Sequence, residues 1–123
     1  MTEPATTPDP AGDALVEVHV TTPDRASALH LAHALVDAGL AACVQVVPGI
    51  TSVYVWDGAV QEDEEHLLLV KSTAAHFTAI RELVRAEHPY DTPEVLAVPV
   101  TDADTGYASW VRTTVRGATA GPA

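Results

Sequence analysis

His88 is the best single candidate for a metal ligand in this chain. It closes a helix-forming stretch, precedes Pro89, and has Glu87 beside it with Asp91 and Glu94 downstream. Imidazole suits copper and zinc, and carboxylates can complete a mixed site. A histidine at a helix C-terminus also answers the dipole and the free carbonyls there, and the residue types alone leave both roles open. His88 with Glu87 is the expected metal pair, and Cu(2+) or another divalent cation is the expected cofactor. A second constellation centres on Lys71, the only lysine in a chain whose other bases are arginines. It follows the apolar run Leu67–Val70 at a strand end, where a compact ammonium can meet a small anion or a buried carboxylate. Lys71, Tyr107, Trp56, Tyr90 and Glu94 are therefore the expected lining of a small-molecule pocket near a subunit boundary. Tyr and Trp serve equally well as interface anchors.

Other reactive types carry less. Cys43, between Ala42 and Val44, reads as a small buried hydrophobe. His30 and His33 lie three apart on one helix and could share an ion, but they flank its apolar stripe. In Glu62-Asp63-Glu64-Glu65, consecutive strand carboxylates point to opposite faces, which suits a solvated edge that discourages strand-to-strand association. The chain has no His-Glu-X-X-His or Cys-X-X-Cys spacing, phosphate-cradling glycine loop or dinucleotide fingerprint. A non-catalytic protein is the expectation.

One long hairpin, residues 41 to 72, must position these groups. Asp57-Gly58 between β-rich runs predicts a type I′ turn, which needs positive φ at both central residues. From Ile50 to Trp56 the side chains alternate, with Ile50, Ser52, Tyr54 and Trp56 on one face. The arm from Ala41 to Trp56 far exceeds the usual strand of about 5–6 residues. Unbroken, it would span about 50 Å, against a radius of gyration near 13 Å for a domain of this size. Pro48-Gly49 is the expected bend, because Pro removes a ladder donor and Gly permits a bulge. The outer half then projects, and a second copy of the chain is the simplest cover for it.

Before the hairpin, Leu15–Val20 alternates as a first strand. Thr22-Pro23-Asp24 opens a helix with Thr22 as N-cap, and Ala28, Leu31, Ala32, Leu35 and Val36 form its stripe. Gly39 is its left-handed stop, with Leu40 folded back on Leu35. Beyond the hairpin, whose Leu67–Val70 run is expected to be buried on both faces, Ser72 or Thr73 caps a second helix carrying Phe77, Ile80, Leu83 and Val84. His88-Pro89 stops it. Val95–Val100 is a fourth strand, and Asp104 caps a third helix with Tyr107, Trp110, Val111 and Val115 on one side. The fold class is α+β: the order βαββαβ plus a C-terminal helix is the split βαβ, or ferredoxin-like, arrangement. A single domain spans residues 14–116, between disordered tails at 1–13 and 117–123.

Composition narrows the partners. The 123 residues carry 17 acids against 6 bases, a formal charge of −11. Such a field repels nucleic acid and anionic membranes and attracts cations. One cysteine precludes an intrachain disulfide, and with no long apolar run or signal-like N-terminus the expected location is the cytoplasm.

The residues also carry a family resemblance. Pro48-Gly49-Ile50-Thr51-Ser52-Val53-Tyr54-Val55-Trp56-Asp57-Gly58 resembles the signature stretch of CutA proteins, the divalent-cation tolerance family. Thr22-Pro23-Asp24, Leu40-Ala41-Ala42-Cys43-Val44, Leu69-Val70-Lys71-Ser72, His88-Pro89-Tyr90-Asp91-Thr92-Pro93-Glu94 and Tyr107-Ala108-Ser109-Trp110 resemble its other blocks, in the family's order and spacing. The resemblance implies a ferredoxin-like protomer in a homotrimer joined by crossing hairpins, similar in architecture to PII signalling proteins. It implies tolerance to copper and other divalent metals. It ties copper to a Cys at the end of the first strand and a His-His pair at the loop; Val20 and Glu87 stand at those positions here, and only His88 matches. A PII-like trimeric sensor that binds a small anionic metabolite at the subunit interface is the alternative.

Overall fold

The computed structural model describes residues 10–119. Its elements run α1 (Pro10–Asp13), β1 (Leu15–Thr22), α2 (Arg25–Asp37), β2 (Cys43–Trp56), β3 (Ala59–Thr73), a 3-10 turn (Ala74–His76), α3 (Phe77–Glu87), β4 (Val95–Pro99) and α4 (Thr105–Thr119). The four strands form one sheet in the order β2-β3-β1-β4, antiparallel at every junction.

Strand alternation decides what each sheet face does. Val16, Val18 and Val20 of β1 and Leu68 and Val70 of β3 point one way. They form the core with Ala28, Leu31 and Leu35 of α2 and Ile80 and Val84 of α3. Glu17, His19, Leu67, Leu69 and Lys71 point to the opposite face and are only half-buried. The Leu67–Val70 run is thus buried on one face, not both, because both helices lie on the same side of the sheet.

Local signals set most boundaries. Asp57 and Gly58 have φ of 53° and 78°, so the hairpin turns where the sequence requires. The ladder between β2 and β3 slips between Val47 and Ile50, at Pro48-Gly49, and Gly49 has φ 71°. Gly39 N–H donates to Val36 O at 2.9 Å and Leu40 N–H to Leu35 O at 3.0 Å, the paired bonds of a Schellman stop.

Four expectations need correction. Asp24, not Thr22, caps α2: its carboxylate accepts from Ser27 N–H at 2.8 Å. Thr22 pairs with His66 in the sheet instead, and its hydroxyl donates to Asp24 O at 2.9 Å. Thr73 precedes the 3-10 turn, but its hydroxyl is bonded to His76 Nδ1, 2.7 Å away, and accepts from no backbone amide of the turn. In α4, where Asp104 does accept from Tyr107 N–H at 3.1 Å, the buried arc is Ala108, Val111 and Val115. Ala108 and Val111 close on Leu15 and Ala42. Tyr107 and Trp110 lie on the next arc, 43% and 47% exposed, with ring centroids 5.6 Å apart. The tail boundaries also shift. Residues 10–13 form one helical turn, whose last carbonyl, Asp13 O, accepts from Arg112 of α4 at 2.8 Å, and α4 runs to Thr119, beyond residue 116. Residues 1–9 and 120–123 of the expected tails lie outside the described residues.

Candidate functional site

Beyond the Gly49 bulge the hairpin leaves the core. Val53, Val55, Trp56 and Val60 are between 60% and 74% exposed. Where this arm departs, it faces the loop between α3 and β4, and the two enclose a recess of about 650 Å³. The arm contributes Ser52, Tyr54, Trp56, Asp63 and Glu65; the loop contributes Pro89, Tyr90, Asp91, Thr92 and Glu94. The arm residues converge because β2 and β3 alternate in register: Ser52 lies opposite Asp63, and Ile50 opposite Glu65. Asp63 and Glu65 therefore share a face with Tyr54, whereas Glu62 and Glu64 point away. The acidic run is not a uniform solvated edge: Glu65 is only 7% exposed.

Two phenol–carboxylate bonds organise the recess. Tyr54 Oη donates to Asp63 Oδ2, and Tyr90 Oη donates to Glu65 Oε2 at 3.2 Å. Burial, together with the Glu65 charge, pushes the Tyr90 phenol up to about 12. The Tyr54 phenol is also raised, chiefly by its bond to Asp63. A phenol facing a carboxylate resists becoming a second anion, and for Tyr90 burial contributes the larger part. Among the described residues, four carboxyl groups line the recess and no basic side chain does.

Of the five residues expected in one pocket, Trp56, Tyr90 and Glu94 meet here. Lys71 and Tyr107 do not line this recess. Lys71 lies opposite both Glu17 and Cys43 in the sheet, and its ammonium donates to Glu17 Oε1 at 2.6 Å. Tyr107 belongs to the same neighbourhood: burial raises its phenol, with Cys43 as the next cause.

The expected metal pair is also divided. Glu87 Oε1 lies 2.6 Å from His30 Nε2 on the exposed surface. His88 is buried, with Nε2 2.7 Å from Thr21 O and Nδ1 accepting from Tyr90 N–H at 3.0 Å. Among the described residues no three His, Cys, Asp or Glu side chains are grouped so as to hold a metal ion. Sequence reasoning missed Asp63, Glu65 and Tyr54 as recess residues. Pairing the strands outward from Asp57-Gly58 would have placed both acids on the Tyr54 face.

Comparison with known proteins gives this geometry a family. Residues 16–114 match the family described as CutA1 divalent ion tolerance protein. The divalent-cation tolerance protein CutA of Thermus thermophilus is 47% identical over 95 residues, 77% of this chain and 92% of that protein. The chloroplastic protein CutA of Arabidopsis thaliana is 44% identical over 101 residues, 82% of this chain and 56% of its own length. Among solved structures, Cut A1 from Thermus thermophilus aligns with a TM-score of 0.80 at 45% identity, covering 81% of this chain and 97% of that one. A CutA from Archaeoglobus fulgidus, described as periplasmic, aligns with a TM-score of 0.80 at 31% identity, covering 82% and 98%. The family match, the relatives and the aligned structures agree, and the chain belongs to the CutA1 divalent ion tolerance family.

Proposed function

We propose that this chain is a non-catalytic, homotrimeric divalent-cation tolerance protein of ferredoxin-like fold that takes up cations at the recess between the hairpin arm and the loop after α3. The observation that carries this reading is the lining of the recess: Asp63, Glu65, Asp91 and Glu94, with no basic side chain among the described residues that line it. Such a concave acidic surface concentrates cations. Its donors are oxygens, which suit hard divalent ions, and the Irving–Williams order ranks Cu(II) highest among first-row divalent ions at such a site.

The homotrimer and the site support one another. An arm with Val53, Val55 and Val60 in water needs a partner surface, and a recess with too few converged ligands in one chain gains donors from a neighbour. The strand order β2-β3-β1-β4 with α2 and α3 on one face supports the split βαβ description. Lys71 does not favour the alternative of a PII-like sensor for an anionic metabolite, since its ammonium is already matched by Glu17.

Native mass spectrometry of the tag-free protein, titrated with Cu(II), tests the reading. A trimer that takes up a specific ion per subunit, with uptake reduced by Asp63→Asn together with Glu65→Gln, is the expected result. A monomer, or a trimer with only diffuse adducts that the double substitution leaves unchanged, would overturn it.

A further inference from the structure

Both ring nitrogens of His88 and its backbone N–H are engaged. Its backbone N–H donates to Val84 O at 2.8 Å and closes α3. A carbonyl oxygen only accepts and a backbone amide only donates. The ring hydrogen therefore sits on Nε2, facing Thr21 O at 2.7 Å, and the Nδ1 lone pair receives Tyr90 N–H at 3.0 Å. The Tyr90 ring stands over the imidazole, centroids 4.9 Å apart, and His88 is only 8% exposed. For the ring to ligate an ion, Nε2 would have to lose its hydrogen and its β1 carbonyl, or Nδ1 its amide.

What these bonds achieve lies one residue further on. Tyr90 carries its phenol to Glu65, the one buried carboxylate of the recess among the described residues. Thr21, His88, Tyr90 and Glu65 thus form a continuous relay from the end of β1 to the hairpin arm. With Pro89 fixing φ between the two rings' residues, the imidazole determines where the Tyr90 backbone sits. We propose that His88 is a positioning residue for the cation recess, which delivers the Tyr90 phenol to Glu65 by gripping the Tyr90 amide and does not itself ligate the ion. This rests on the cation reading of the recess.

The test is nuclear magnetic resonance on the full, 15N-labelled chain with zinc chloride as a diamagnetic divalent probe. The His88 nitrogens should report the Nε2–H tautomer and keep their shifts at saturating zinc. His88→Ala should speed exchange of the Tyr90 amide and weaken zinc uptake, each by about tenfold for the loss of a buried hydrogen bond. His88→Asn, which places an acceptor oxygen near the Nδ1 position, should restore the Tyr90 protection. His88→Gln, which keeps only the donor toward Thr21, should not. If His88→Ala fails to fold, the contrast between Asn and Gln decides alone. Zinc moving either ring nitrogen into the metal-bound range overturns the proposal, and so does Tyr90 exchange that ignores these substitutions. Should the wild-type protein take up no zinc, the cation reading falls, and the Tyr90 amide still decides whether His88 positions the loop.

Discussion

Lys71 and Glu17 are directly paired across the β1–β3 ladder, and the ammonium donates to Glu17 Oε1 at 2.6 Å while His19 holds the other oxygen at 2.7 Å. The chain's only lysine thus meets an acid of its own sheet. The three side chains lie on the half-buried face, opposite α2 and α3, where a carboxylate without partners would be costly.

Lys71→Met should therefore destabilise the fold, by about 1–2 kcal/mol at neutral pH, since water screens part of the pair. Glu17 is held below its ordinary 4.5, chiefly by the hydrogen bond from Lys71 and next by that from His19. A depressed acid stabilises the fold above its unfolded value, and the contribution fades as pH falls through the folded one. In denaturant unfolding, the gap between wild type and Lys71→Met should be full above pH 4.5 and close at more acidic pH.

Tyr90 should be slow to ionise. With its phenol pushed up to about 12 by burial and then by Glu65, Glu65→Gln should bring the phenolate transition to lower pH by removing the facing charge. Stability has the opposite sign from the Glu17 case. The Tyr90 contribution is full below the unfolded value of 10.0 and fades as pH rises toward 12. Phenolate absorbance against pH, with Tyr90→Phe as the assigning control, checks both statements.

Gly49 tests the bulge. A Cβ added there meets nothing within 4 Å, so only the backbone resists, at φ 71°. Gly49→Ala should cost about 1–2 kcal/mol in urea unfolding, and Gly49→Asn less, because asparagine tolerates the left-handed region. Equal losses for the two would show that conformation is not what the position selects.

Assembly can be tested at the arm. Val53→Lys together with Val55→Glu places charges on the exposed valine face that the proposed trimer covers, away from the recess. Native mass spectrometry should show the mass drop from trimer to smaller species. A double variant that stays trimeric with wild-type melting would remove this face from the interface.

The sequence revealed the fold wherever one residue dictates a local conformation. Asp57-Gly58, Pro48-Gly49 and Gly39 each have a backbone requirement that few other residues meet, and all three features form where expected. The α2 cap was harder to assign, because Thr22 and Asp24 are both good caps and the choice depends on β1 continuing to pair Thr22 with His66. The site was legible only in part. Trp56, Tyr90 and Glu94 do meet, but Lys71 and Glu17 are 54 positions apart, and that encounter depends on a strand register the side chains do not announce. His88 drew attention for its chemistry, whereas the structure places it between two backbone groups.

The recess has one wall on the arm, through Ser52, Tyr54, Trp56 and Asp63, and another on the body, through Thr21 and the segment from Pro89 to Glu94. An occupant held by Asp63 or Glu65 on one wall and by Asp91 or Glu94 on the other would tie the two together. Filling the recess and fixing the angle of the arm are then coupled equilibria. An occupant that binds more tightly with the arm in its assembled pose must hold the arm in that pose by the same factor, and losing the arm's partners must loosen the occupant equally. If the proposed trimer takes up cations at this recess, cation load and subunit cohesion rise and fall together.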